Sequence, residues 1–69
     1  MKERERIGKR IAELRIEKGL TQARLAELSG VGYGHIARIE QGRYSVGIDT
    51  LGKLGEALGV ELGFKPKEQ

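Results

Sequence analysis

The sequence has no cysteine, no tryptophan and no asparagine, and only one histidine, one proline and one phenylalanine among its 69 residues. Without cysteine there is no disulfide frame. A single histidine supplies neither the ligands of a zinc site nor the partners of a Cys or His nucleophile system. Glu40 has no second acid in register for general acid–base work, so an enzyme is not expected. No apolar run approaches the roughly 20 residues of a membrane span. The start, Met1-Lys2-Glu3-Arg4-Glu5-Arg6, lacks the apolar segment of a signal peptide. These absences lead us to expect a cytoplasmic protein with no metal, no cofactor and no membrane partner. One small domain over residues 1–69 is expected, with a core that is marginal unless a partner chain adds to it.

Charge of one sign is also scarce. The net charge is +3, too small by its sum to point to nucleic acid, but its distribution is uneven. Residues 1–18 carry seven Lys or Arg against four Glu, residues 19–45 three against two, and residues 46–69 three against four acids. The alternating charges from Lys2 to Lys18 fit a solvated helix face with i,i+4 pairs; phosphate contact by some of them is the other reading.

The informative stretch runs from Leu20 to Glu40. Thr21 is a good N-cap, and Ala23, Leu25, Ala26 and Leu28 give a first short helix an apolar stripe. Ser29-Gly30 stops that helix, Gly30 being free to take positive φ, and Val31 plugs the corner. In a second short helix Ile36 and Ile39 face inward, while Tyr33, His35 and Arg38 are left facing out as possible hydrogen-bond donors. Upstream, Ile7, Ile11 and Leu14 mark the buried stripe of a helix over about residues 3–18, ended by Gly19, with Gly8 a place for close helix approach. Ile16 falls off that stripe. Downstream, Arg43-Tyr44-Ser45-Val46-Gly47 reads as a loop, and Ile48, Leu51, Leu54 and Leu58 as the stripe of a fourth helix stopped by Gly59. Gly34, Gly52 and Gly55 inside helices cost about 1 kcal/mol each relative to Ala, unless close packing requires them.

The ordered set Thr21-Gln22, Leu25-Ala26, Gly30-Val31, Ile36, Ile39-Glu40 and Gly42 resembles the lambda-repressor-like helix-turn-helix family of phage repressors, Cro proteins and bacterial regulators. Ile11-Ala12-Glu13-Leu14-Arg15 precedes it, and Thr50-Leu51 with Ala57-Leu58-Gly59-Val60 follows, so the resemblance covers about residues 7–60. It implies an all-α bundle of four to five short helices containing a helix-turn-helix, here with a short C-terminal extended segment. It also implies that Arg15 reaches Glu40 as a structural ion pair tying the first helix to the end of the third.

For function, the resemblance implies that the third helix enters the major groove of double-stranded DNA while the second crosses the backbone. Thr21 and Gln22, at the positive end of the second helix, are then phosphate contacts, and the Gln22 amide can also brace the third helix. Tyr33, Gly34, His35 and Arg38 stand at base-reading positions. Arg38 can bind guanine or pair with a nearby acid; His35 can meet a base or a phosphate or simply be exposed. Gly34 offers no side chain, and Gly32 stands where the family tends to place a hydroxyl cap. Gln41, Arg43 and Tyr44 follow as backbone contacts, with Tyr44 equally readable as a ring covering the corner between the third and fourth helices.

The tail departs from the family's more usual fifth helix. Val60-Glu61-Leu62-Gly63-Phe64-Lys65-Pro66 alternates apolar and polar and reads as a short strand over residues 60–65. A strand needs a partner, and pairing across a two-fold axis would place Val60, Leu62 and Phe64 in a dimer interface. The other readings are a segment folded back over its own core and a fifth helical turn. Residues 66–69 are expected to fray. The leading function is a sequence-specific DNA-binding transcriptional regulator, a repressor acting as a homodimer on a two-fold symmetric operator. The alternatives are an antitoxin with a toxin partner and a scaffold variant with little DNA specificity.

Overall fold

The computed structural model describes residues 2–63, and within them the chain forms four helices: α1 Lys2–Glu17, α2 Gln22–Ser29, α3 Tyr33–Glu40 and α4 Ile48–Leu58. The local signals act where the sequence puts them. Thr21 is the N-cap of α2, its Oγ1 accepting the Arg24 N–H at 3.0 Å, a contact that stabilises a helix start by about 1 kcal/mol. Gly30 ends α2 at φ +77°, with its N–H donating to the Ala26 carbonyl. There a β-carbon would strain the left-handed backbone that opens the turn. The Val31 N–H donates to Ser29 Oγ at 3.1 Å, and the Val31 side chain is buried in the corner.

Ile11, Leu25, Val31, Ile36, Ile39, Leu54 and Leu58 form the core, with Ile7, Leu14, Leu20, Ala26, Val46, Leu51 and Ala57 packed around it. α1 lies against α3, and α2 against both α3 and α4. Every helix thus gives its apolar face to one cluster, the arrangement a bundle of short amphipathic helices requires. Gly8 is where α1 and α3 come closest. A β-carbon there would overlap the Ile39 carbonyl oxygen and stand 3.2 Å from that of Glu40. Gly55 has a similar reason, since its β-carbon would lie 3.3 Å from the Val60 carbonyl oxygen. Gly52 and Gly34 have open space around them, and nothing in the packing requires glycine there.

Two apolar stripes are narrower than their spacing suggests. In α2, Leu25 is fully buried and Ala26 partly so, but Ala23 is exposed and Leu28 is 48% exposed. At 100° per residue the inward residues of α2, Gln22, Leu25, Ala26 and Ser29, centre about 50° from Leu25 toward Ala26, which leaves Ala23 and Leu28 roughly 110° to either side. In α4, Leu54 and Leu58 are buried and Leu51 half-buried, whereas Ile48 is 73% exposed. It is the first residue of the helix, roughly 80° off the Leu51-Leu54-Leu58 face, with no preceding turn to pack beneath it.

The tail also differs from expectation. Residues 60–63 have no regular secondary structure, so the strand over 60–65 is absent from the described part of the chain; Phe64, Lys65 and residues 66–69 lie outside it. A lone strand has no backbone to pair with. Instead the Val60 N–H donates to the Gly55 carbonyl at 2.9 Å, closing the end of α4. A Leu62 methyl sits 3.8 Å from the position a Gly55 β-carbon would take. Val60 and Leu62 remain largely exposed, at 36% and 47%.

Candidate functional site

The end of α3 is held by a network of charge-assisted hydrogen bonds. Arg15 Nε donates to Glu40 Oε2 at 2.7 Å and Arg15 Nη2 to Glu40 Oε1 at 3.0 Å, a two-pronged pairing of guanidinium and carboxylate. Arg15 Nη1 donates to the Leu20 carbonyl at 2.8 Å. Gln22 Nε2 donates to Glu40 Oε1 at 3.0 Å. The side chains of Arg15 and Glu40 are 15% and 7% exposed, so water competes little for them. The hydrogen bond to Glu40 outweighs partial burial and holds the Arg15 guanidinium even more firmly protonated than usual. No buried side-chain nitrogen or oxygen among the described residues lacks a partner. One carboxylate therefore joins α1, the start of α2 and the end of α3.

Gln22 is the outward end of that network. One of its two amide hydrogens is committed to Glu40, which fixes the amide at the exposed start of α2 and leaves the second free. Thr21 is exposed beside it, its hydroxyl oxygen occupied by the cap. The Leu20 carbonyl and the Gln22–Glu40 bond join positions that no helical spacing relates. Arg24, an exposed cation on the same first turn, was not singled out in the sequence; its Nη1 donates to Glu27 Oε1 at 2.9 Å. Its i,i+3 relation to Glu27 was the signal available. Such an exposed pair contributes at most about 1 kcal/mol and is easily exchanged for another anion.

α3 presents the next set. Ile36 and Ile39 face the core, while Tyr33, at 58% exposure, Gly34 and Arg38 face solvent. Gly32 is the N-cap and makes no side-chain hydrogen bond. His35 is half-buried, not fully outward as its spacing suggests, because its ring packs edge-on against Tyr44 at 5.1 Å between centroids. Gln41 and Arg43 are exposed beyond the helix end. Gly42, at φ +77°, donates its N–H to the Ile39 carbonyl at 3.0 Å, and the Arg43 N–H reaches the Arg38 carbonyl at 3.2 Å. This Schellman cap turns the chain back on α3. Tyr44 consequently lies beside the helix, with the Arg38 guanidinium 5.5 Å from its ring centre and Arg38 Nη1 3.4 Å from its hydroxyl. The side-chain contacts of Tyr44 thus run to His35 and Arg38 of α3.

The residues singled out at the start of α2, on α3 and in the following loop thus belong to neighbouring elements locked together by the Glu40 network and the Gly42 cap. Val60 and Leu62 lie apart from them, in the segment after α4 that lines the groove between α1 and α4, and Phe64 is outside the described residues. Among the described residues no helix is long and apolar enough to cross a membrane, and no cluster of His, Asp and Glu is placed to hold a metal ion.

Comparison with known proteins gives a consistent set of relatives. The sequence profile of the helix-turn-helix family matches residues 11–65. Over 55 residues, 80% of this chain, the sequence is 47% identical to the HTH-type transcriptional regulator PuuR of Escherichia coli. It is 38% identical over 56 residues to the immunity repressor protein of Bacillus phage phi105. The chain spans only 30% and 39% of the lengths of those two proteins. Among solved structures, the restriction-modification controller protein C.AhdI from Aeromonas hydrophila superposes with a TM-score of 0.85 at 36% identity, covering 88% of this chain and 92% of that one. An HTH_3 family transcriptional regulator from Vibrio cholerae gives 0.81 at 31% identity, covering 84% of this chain and 33% of its own. With its four-helix fold, capped turn and matching residues, the chain belongs to the lambda-repressor-like helix-turn-helix family, a non-enzymatic family of DNA-binding regulators.

Proposed function

We propose that this chain is a sequence-specific transcriptional regulator, a repressor that binds a two-fold symmetric operator as a homodimer in the cytoplasm. The observation that carries the reading is the Glu40 carboxylate, which fixes the Gln22 amide at the start of α2 against the same helix that exposes Tyr33, Gly34 and Arg38. A rigid pair of helices with one polar end aimed outward is what groove reading demands. In this reading the positive end of α2, Thr21 and Gln22 hold a phosphate. Arg38 reads a guanine through O6 and N7, a contact that discriminates by about 1–3 kcal/mol. Tyr33 lays its ring on a thymine methyl. At Gly34 the backbone approaches the base edges closely, and His35 contributes on the side toward Tyr44. Gln41, Arg43 and Tyr44 meet the sugar-phosphate backbone beyond the reading helix.

A single domain of this size offers too few contacts for high specificity, whereas two copies would set two reading helices about 34 Å apart. The exposed Val60 and Leu62, together with Phe64, are the residues we assign to that dimer. An immunity repressor among the relatives supports the repressive sense.

The test is selection of bound duplexes from a random DNA pool at near-physiological salt, followed by sequencing. The proposal expects an inverted repeat with half-site centres about 10 base pairs apart. A single half-site would remove the dimer. An unenriched pool whose binding vanishes as salt rises would leave only phosphate attraction and favour the toxin-binding or scaffold readings.

A further inference from the structure

Tyr44 stands in the loop after α3, yet its contacts run to the reading helix. His35 and Arg38 lie three positions apart on α3, so they share a face one turn apart. Both meet the same ring: His35 edge-on at 5.1 Å with the planes at 87°, and the Arg38 guanidinium 5.5 Å from the ring centre. The hydroxyl contact with Arg38 is long, at 3.4 Å, so the ring itself is the stronger partner. The backbone enforces the arrangement, because the Arg43 N–H is bonded to the Arg38 carbonyl immediately before Tyr44. Tyr44 also lines a small cleft together with Arg4, Ile7 and Val46.

An unsupported arginine samples many rotamers, and ordering one on binding opposes both affinity and selectivity. A guanidinium resting on an aromatic face is partly ordered in advance. We infer that Tyr44 is a positioning residue for base reading: its ring holds Arg38 at the angle from which Arg38 enters the groove, and the edge-on contact with His35 helps to fix the ring. This rests on the DNA-reading function proposed above and revises the role of Tyr44 within it. A phosphate contact acts on all sequences alike, whereas a support for Arg38 acts only on the base pair that Arg38 reads.

The experiment compares wild type, Tyr44→Phe, Tyr44→Leu, Arg38→Ala and the Tyr44→Leu/Arg38→Ala double variant. Each is titrated with the selected duplex and with duplexes changed at one base pair at a time. The base pair at which Arg38→Ala loses discrimination identifies the Arg38 position. There, Tyr44→Leu is expected to lower discrimination about two- to fivefold, and Tyr44→Phe, which keeps the ring, to retain most of it. In the Arg38→Ala background, Tyr44→Leu is expected to change discrimination no further. Without DNA, the Arg38 side-chain protons are expected to show a ring-current shift in wild type and Tyr44→Phe that disappears in Tyr44→Leu. Equal weakening by Phe and Leu across all duplexes, additive with Arg38→Ala, would overturn the inference in favour of a hydroxyl–phosphate contact. Absence of any preferred duplex for wild type would overturn the DNA-reading function itself, and a missing ring-current shift the positioning role alone.

Discussion

Replacing Arg15 with alanine should remove more from this protein than any other single polar substitution. Arg15 makes two hydrogen bonds to Glu40, at 2.7 and 3.0 Å, and one to the Leu20 carbonyl at 2.8 Å. Without it, a carboxylate only 7% exposed keeps a single neutral partner, the Gln22 amide. Breaking a buried pair from one side costs about 3–5 kcal/mol, and the residual access of water to Arg15 places this case near the lower end, at about 3 kcal/mol. A domain of this size has about 3–10 kcal/mol of total stability and loses roughly 4–8 °C of melting temperature per kcal/mol. The expected fall is therefore about 10–25 °C, measured by circular dichroism with urea titrations alongside. A companion variant sharpens the reasoning. Arg15→Met with Glu40→Met replaces both charges by apolar groups of similar length and should recover most of the lost stability. It cannot recover the anchor for Gln22, so its DNA affinity should stay low. A loss below about 1 kcal/mol for Arg15→Ala, the range of an exposed pair, would refute the claim that Glu40 is the buried joint of the fold.

Other substitutions separate packing from recognition. Gln22→Ala should weaken DNA binding with a melting change of only a few degrees, since Glu40 keeps Arg15; Arg38→Ala should weaken binding and leave melting unchanged, by anisotropy titration and thermal melts. Equal melting losses in Arg15→Ala, Gln22→Ala and Arg38→Ala would contradict this division of roles. Gly8→Ala should destabilise by about 3 kcal/mol, because its methyl group meets the Ile39 carbonyl and neither backbone can move aside cheaply. Gly52→Ala, in open space within α4, should instead stabilise by about 0.5–1 kcal/mol, and the two opposite signs can be read from the same urea series.

Local physics was legible in the sequence. The Thr21 cap, the positive φ of Gly30, the inward Ile36 and Ile39 and the helix approach at Gly8 each depend on near neighbours or on a small side chain, and each is found in the fold. Facing was harder to read. In α2 and α4 the apolar residues spread around more of the helix than the core covers, so Ala23, Leu28 and Ile48 have the composition of core but the angle of surface. The tail alternates like a strand, but a strand is a property of two backbones, and residues 60–63 have no second one within the described chain.

At the site, the resemblance carried the Arg15–Glu40 pair, while the edge-on contact of His35 with Tyr44 had no sequence signal. That contact depends on how the Gly42 cap redirects the loop, a path fixed by backbone hydrogen bonds. The exposed residues of α3 show their direction from spacing alone, whereas the place of the Arg38 guanidinium over an aromatic ring depends on a residue six positions later.

The most direct test of the account is to add the selected duplex to isotope-labelled protein and follow backbone and side-chain amide resonances by NMR. The account predicts that the largest changes fall on Gln22, Tyr33, Gly34, His35, Arg38, Arg43 and Tyr44, with the Gln22 side-chain amide among them. Changes centred instead on the groove between α1 and α4, around Ile11, Leu51 and Leu58, with α3 unaffected, would contradict it.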